Sequence, residues 1–214
     1  MKRAVLCVLF LSLVGAMAVV PASADPTLYD NTGPATNTTD AFTFGPASYG
    51  YFVSDSFTLS QASTITGMNF NAWLFPGDTL ESMDWSIGTT DFDSSLGSGT
   101  ADPSAIQVAT TFGYPIYEES FSIPDLTFGA GTYWITLQNG VTNNGDPVYW
   151  DQSNGPSTAY QANFGPLSNF QGDGTSTSQT FQILGTPTPE PSSFLLLGSG
   201  LLGLAGMLKR KIKA

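Results

Sequence analysis

Histidine is absent from the 214 residues, and cysteine occurs once, as Cys7. Ser-His-Asp and Cys-His catalysis and the usual zinc sites are therefore unavailable beyond the first few residues, and no disulfide can form within the chain. Cations are nearly absent as well. The six Lys and Arg are Lys2, Arg3, Lys209, Arg210, Lys211 and Lys213, whereas all seventeen Asp and Glu lie between Asp25 and Glu190. Residues 25–190 thus carry a formal charge of −17, seventeen negative groups against no positive one. That composition excludes Schiff-base lysines and cationic clamps for oxyanions, and it excludes nucleic acid as a partner, because phosphate contacts need Lys or Arg. It also excludes internal salt bridges, so each carboxylate must be solvated, hydrogen-bonded or matched by an external cation. The plainest consequence of the acidity is solubility, since the acidic residues are scattered rather than bunched.

Long apolar runs are missing from the middle and occur at both ends. Met1, Lys2 and Arg3 precede an apolar stretch over 4–20, and Ala22-Ser23-Ala24 is a small-x-small site before Asp25. These are the three parts of a secretory signal peptide, with Ala22 and Ala24 flanking removal after residue 24 by signal peptidase. At the other end, residues 194–208 (FLLLGSGLLGLAGML) are apolar all round and are followed by the basic cluster of 209–214. Such a segment is no soluble core helix, and the basic residues read as a cytoplasmic flank. It is short for permanent anchoring, which takes roughly 17 to 25 residues.

The region between is one domain in size. It is rich in Thr, Ser, Gly, Asn and aromatics, which disfavours helices, and period-two alternation recurs along it. Tyr51, Val53, Phe57 and Leu59 share a parity, as do Met68, Phe70, Ala72 and Leu74, then Met83, Trp85 and Ile87, then Ile106 and Val108. Phe121 and Ile123, then Tyr133, Ile135 and Leu137, then Tyr160, Ala162 and Phe164, and finally Phe181 and Ile183 continue the series. Turn residues bound the runs: Pro76-Gly77-Asp78, Gly129-Ala130-Gly131, Asn143-Asn144-Gly145-Asp146 and Gly172-Asp173-Gly174. The expected fold is all-β, an antiparallel β-sandwich of jelly-roll type over 25–185. Residues 186–193, with prolines at 187, 189 and 191, read as a stiff spacer excluded from the sheets.

Pro189-Glu190-Pro191, then Ser192-Ser193, the apolar Gly-containing segment, and Lys209-Arg210-Lys211 at the end resemble the PEP-CTERM sorting signal of bacterial exported proteins. The resemblance covers the last 28 residues or so. It implies export, a transient stay of 194–208 in the inner membrane as a transmembrane sorting helix, and processing near Pro189-Glu190-Pro191 by an exosortase. It further implies delivery to the surface or exopolysaccharide matrix of a Gram-negative bacterium. Glycosylation is common in such proteins, and Thr36, Thr38, Thr39 and residues 175–178 offer hydroxyls for it. The signal says little about the domain it carries.

For that domain the first expectation is a non-catalytic structural or adhesive role in exopolysaccharide or biofilm. A lectin-like carbohydrate-binding module is the second, with Trp73, Trp134 and Trp150 as stacking candidates. Trp85 shares the apolar parity and reads as core, whereas Trp73 and Trp134 lie opposite the apolar residues of their strands; if both faces of those strands are covered, they too are core. A third reading is a glycoside hydrolase using paired carboxylates drawn from Asp84, Glu118, Glu119 and Asp151. No cofactor is expected except a loose calcium site using Asp91, Asp93 or Asp173. The stretch from Asp91 is no EF-hand, because Leu96 occupies the position that needs Gly.

Overall fold

The computed structural model describes residues 25–31, 41–163, 178–188 and 198–200. Among them run thirteen strands: β1 (Thr27–Asp30), β2 (Ala41–Gly45), β3 (Tyr51–Leu59), β4 (Ser63–Trp73), β5 (Leu80–Gly88), β6 (Gly97–Ala101), β7 (Ser104–Thr111), β8 (Tyr114–Phe128), β9 (Gly131–Thr142), β10 (Val148–Ser153), β11 (Ala159–Asn163), β12 (Ser178–Gln179) and β13 (Phe181–Pro187). They form two antiparallel sheets. One has the order β11-β3-β9-β5-β6. In the other, of eight strands, β4 is central, with β8 and then the edge strand β7 on one side, and β13 and β10 end to end on the other. β1 flanks β13, and β2 and β12 flank β10. The all-β sandwich expected from the sequence is the fold.

The alternating apolar residues meet between the sheets. Val53, Phe57 and Leu59 on β3, Met83, Trp85 and Ile87 on β5, and Ile135 and Leu137 on β9 face Met68, Phe70 and Ala72 on β4, Phe121 on β8 and Ile183 on β13; all are buried. Trp150 is 0% exposed; its ring meets Phe70 and Phe181 edge-on at 6.0 and 5.6 Å, and its Nε1–H donates to the Thr180 carbonyl at 2.8 Å. A tryptophan buried this deeply is stable because its one donor has a partner.

The turn residues behave as read. Asp78 N–H donates to Phe75 O at 3.0 Å with Gly77 at φ +93°, a type II turn that needs glycine in its third position. Gly145 N–H closes the 142–145 turn onto Thr142 O at 3.1 Å.

Two readings are corrected. Ile106 and Val108 are not core residues: β7 pairs only with β8, and they are 70% and 43% exposed. Alternation shows which residues share a face of a strand, and an edge strand has no sheet packed over the face these two occupy. Thr186 and Pro187 are not outside the sheet either, since they extend β13 opposite Thr64 and Ser63, and Thr188 N–H donates to Ala62 O at 2.8 Å. Proline is tolerated at the end of a strand, where its missing N–H breaks no interior ladder bond.

Residues 1–24, expected from the sequence to be a signal peptide, together with Phe164, Gly172-Asp173-Gly174, Pro189-Glu190-Pro191 and the basic tail with Lys209, Arg210 and Lys211, lie outside the described residues. Of the 194–208 span only 198–200 is described, as helix. No helix among the described residues is long and apolar enough to cross a membrane.

Candidate functional site

The outward face of the five-stranded sheet carries the polar half of the alternation. Opposite the core residues of β3, β5, β6 and β9 stand Phe52, Asp84, Ser86, Ser98, Thr100, Thr136 and Gln138, which line a groove of about 520 Å³. The pairing register sets Phe52, Gln138, Asp84 and Thr100 in one row across four strands, and Thr136, Ser86 and Ser98 in the next. The 89–96 connection brings Phe92 and Ser94 up as one wall. Phe92 meets Phe52 edge-on at 4.8 Å, and its N–H donates to Ser54 Oγ at 3.3 Å. Asp84 is held by the Thr100 hydroxyl at 2.6 Å and the Asn139 amide at 2.8 Å.

Among the described residues, Phe92 and Asn139 are two of the three non-glycine residues in left-handed backbone, at φ 59° and 55°. That conformation is costly for a side chain, most of all an aromatic one. In both cases the strained residue places a group on this groove, an aromatic ring in one and the amide that fixes Asp84 in the other. Asp84 is the one carboxylate among the described residues lining the groove, and its two donors fix its orientation as an acceptor.

The three tryptophans singled out from the sequence separate. Trp134 lies on this same outward face, two residues before Thr136, and is half-buried with its ring against Tyr160 at 5.6 Å. Trp73 is on the outward face of the other sheet, yet only 7% exposed. The tip of the β7–β8 hairpin folds Phe112 and Tyr114 over it, with ring centres 6.4 and 6.3 Å away, and its Nε1–H donates to the Asp151 carboxylate at 2.6 Å. Trp150 is wholly core. Neither Trp73 nor Trp150 has a ring face for a sugar, because each is covered by its own fold; Trp85, at 3% exposure, is core as its parity indicated.

The glycosidase candidates do not converge. Asp84 and Asp151 belong to different sheets, and Glu118 and Glu119, adjacent on β8, point to opposite faces. Glu119 is 0% exposed opposite Phe70, and neither of its oxygens has a hydrogen-bond partner.

Of the calcium candidates, Asp91 is exposed and Asp173 lies outside the described residues. The Asp93 carboxylate is already engaged by the Ser95 hydroxyl and N–H at 2.6 and 2.9 Å and by the Thr89 N–H at 3.0 Å. These bonds, the Ser95 hydroxyl first, hold its pKa down to about 2, so the residue reads as the organiser of a tight turn. No cluster of three or more Asp and Glu among the described residues is arranged to hold a metal ion.

Sequence reasoning missed Phe52, Phe92, Gln138 and Thr100. The signal available was the polar half of the alternation, but which strands bring those halves together is a matter of sheet order.

No curated protein matches the chain. A family model for the PEP-CTERM protein-sorting motif matches residues 187–211. The chain carries that motif where Pro189-Glu190-Pro191 and the following segment resemble it, which marks an exported bacterial protein, sorted to the cell surface and targeted to an exosortase.

Proposed function

We propose that this chain is a non-catalytic adhesive protein of the surface or exopolysaccharide matrix of a Gram-negative bacterium, which holds glycan chains in the groove on its five-stranded sheet. Signal peptidase removes residues 1–24, the 194–208 segment halts briefly in the inner membrane, and exosortase cleavage near Pro189-Glu190-Pro191 releases the domain. The observation that carries the reading is the groove. Aromatic edges from Phe52 and Phe92 stand beside an oriented carboxylate, an amide and several hydroxyls, and Trp134 extends the same face. Saccharide recognition requires that mixture, with few polar groups placed to fix orientation and apolar surface to cover the ring. A single carboxylate supports binding rather than the two-carboxylate chemistry of glycoside hydrolysis.

The test is a glycan array, followed by binding to exopolysaccharide from the host. Trp134→Ala and Phe92→Ala are each expected to weaken binding about tenfold, which corresponds to about 1.4 kcal/mol. Uniform binding to every glycan, or none, would sink the reading. For processing, mass spectrometry of the surface-released protein is expected to show chains ending near residue 190, and a retained 209–214 tail would refute it.

A further inference from the structure

We infer that a notch in the outward face of the eight-stranded sheet, walled by Asn69, Asn71, Glu118 and Gln182, is a second saccharide site, which takes one neutral sugar unit at a chain end or branch. It lies on the opposite side of the sandwich from the groove of the five-stranded sheet, so one copy of the domain can join two glycan chains.

The notch follows from strand order. β4 is paired with β8 along one side, whereas two strands share its other side. β13 pairs with it as far as Phe70, opposite Phe181, and β10 takes over at Ala72, opposite Trp150. Asn71 falls at the junction, where its N–H reaches across to the Thr180 carbonyl at 3.4 Å. Because Met68, Phe70 and Ala72 face the core, Asn69 and Asn71 face outward. Register sets Glu118 beside Asn71 and Gln182 beside Asn69. The cavity between them is about 110 Å³, with Phe70 and Phe181 at its base. That is room for a few waters, or for the hydroxyl-bearing edge of one sugar unit, and not for a run of chain.

The polar groups on the notch are unspent. Asn71 is 4% exposed and lines this cavity, yet its side-chain amide makes no hydrogen bond among the described residues. A buried amide ordinarily has partners, and one without them is costly to keep. Asn69 and Glu118 stand half-buried beside it, also without side-chain hydrogen bonds among the described residues. Gln182 donates from its amide nitrogen to Asp30 at 3.2 Å, which leaves its carbonyl oxygen to accept.

These groups select the ligand. Carboxamides donate and accept, the carboxylate accepts, and vicinal hydroxyls answer both. An anion is excluded, because Glu118 repels it and residues 25–190 hold no cation to meet it. An added peptide strand is excluded, because β4 is central and the sheet has no free edge at the notch. Occupancy of the notch stands on these residues alone; the joining of two chains rests in addition on the groove reading proposed above.

The experiment uses ¹⁵N-labelled protein as exported from cells, titrated with the methyl glycosides of glucose, galactose and mannose, and with methyl glucuronide as the anionic probe. At least one neutral glycoside is expected to shift the side-chain NH₂ signals of Asn71 and Asn69 with a dissociation constant on the order of a few millimolar. The glucuronide is expected to bind about tenfold more weakly or not at all. Asn71→Leu, which exchanges an unpartnered amide for an apolar group of similar shape, is expected to melt no lower than the parent protein and to lose the Asn69 shift. Glu118→Gln is expected to weaken the titration several-fold. No shift with any neutral glycoside, an Asn69 shift that persists in Asn71→Leu, or a glucuronide that binds as well as its neutral counterparts overturns the inference. Joining is read by light scattering from a soluble neutral polysaccharide built on the sugar that shifts Asn71. The parent protein is expected to raise the scattering, and Asn71→Leu and Trp134→Ala each to abolish the rise. Scattering by Trp134→Ala equal to the parent's would overturn the groove reading, and with it the joining, while the Asn71 shift decides the notch separately.

Discussion

Glu119 shows how far a single residue can depart from its surroundings. It faces Phe70 with both oxygens unpartnered, and burial alone pushes its pKa from 4.5 up to about 7. A folded-state pKa above the unfolded value means that the native state binds the proton more tightly. Glu119 therefore contributes its full stability below pH 4.5 and loses it as the pH rises through about 7. The loss is on the order of 3 kcal/mol, because each tenfold difference in proton affinity between the folded and unfolded chain is worth about 1.4 kcal/mol. Urea unfolding between pH 4 and 8 is the measurement. Glu119→Gln is expected to remove this part of the pH dependence and to exceed the parent protein in stability at pH 8. Equal pH profiles for the two would show that the side chain reaches water. Asp55 titrates in the same window, so the difference between parent and variant, rather than either profile, isolates Glu119.

At the scale of the strand, alternation was legible wherever two sheets meet and misleading where they do not. Val53 and Ile106 look alike in the sequence, each a β-branched residue on the apolar parity of its strand. Val53 is on β3, between two neighbouring strands and beneath the opposite sheet, and is 0% exposed, whereas Ile106 is on the edge strand β7 and 70% exposed. Ile106→Lys is accordingly expected to change unfolding free energy by less than about 0.5 kcal/mol, and Val53→Lys to abolish folding by burying an unpaired charge. Circular dichroism and thermal melts distinguish them; a large loss from Ile106→Lys would mean that the β7 edge is covered in solution. The groove has the same logic in reverse. Asp84 is readable as an outward polar residue of its strand, but its neighbours Thr100, Gln138 and Phe52 stand on three other strands, and only pairing register sets them in one row.

For the whole molecule the governing quantity is charge. A region of −17 with no internal cation repels itself in the compact state, and salt screens that repulsion. The Debye length falls from about 30 Å at 0.01 M to about 8 Å at 0.15 M. The melting temperature of the exported protein is expected to rise across this range of NaCl by a few degrees, with calorimetry as the check. A melting temperature that falls with salt would show that favourable rather than repulsive electrostatics dominate the fold.

The sequence by itself determined what depends on local order or on composition. The C-terminal sorting motif is contiguous, the turns at Pro76-Gly77-Asp78 and Asn143-Asn144-Gly145-Asp146 follow from backbone preference, and the exclusion of His, Cys and Lys chemistry is a matter of counting. Tertiary structure alone decided which tryptophans are covered. Trp73, Trp134 and Trp150 differ in what lies over them, a hairpin tip, a half-open sheet face and the opposite sheet, and none of these is adjacent in the chain. It alone also brought Asn31, Asp55, Ser157 and Ser178 to one point. Each of these residues is ordinary in its own segment. Burial removes their water and makes a neighbour more than a hundred residues away the group that must satisfy them.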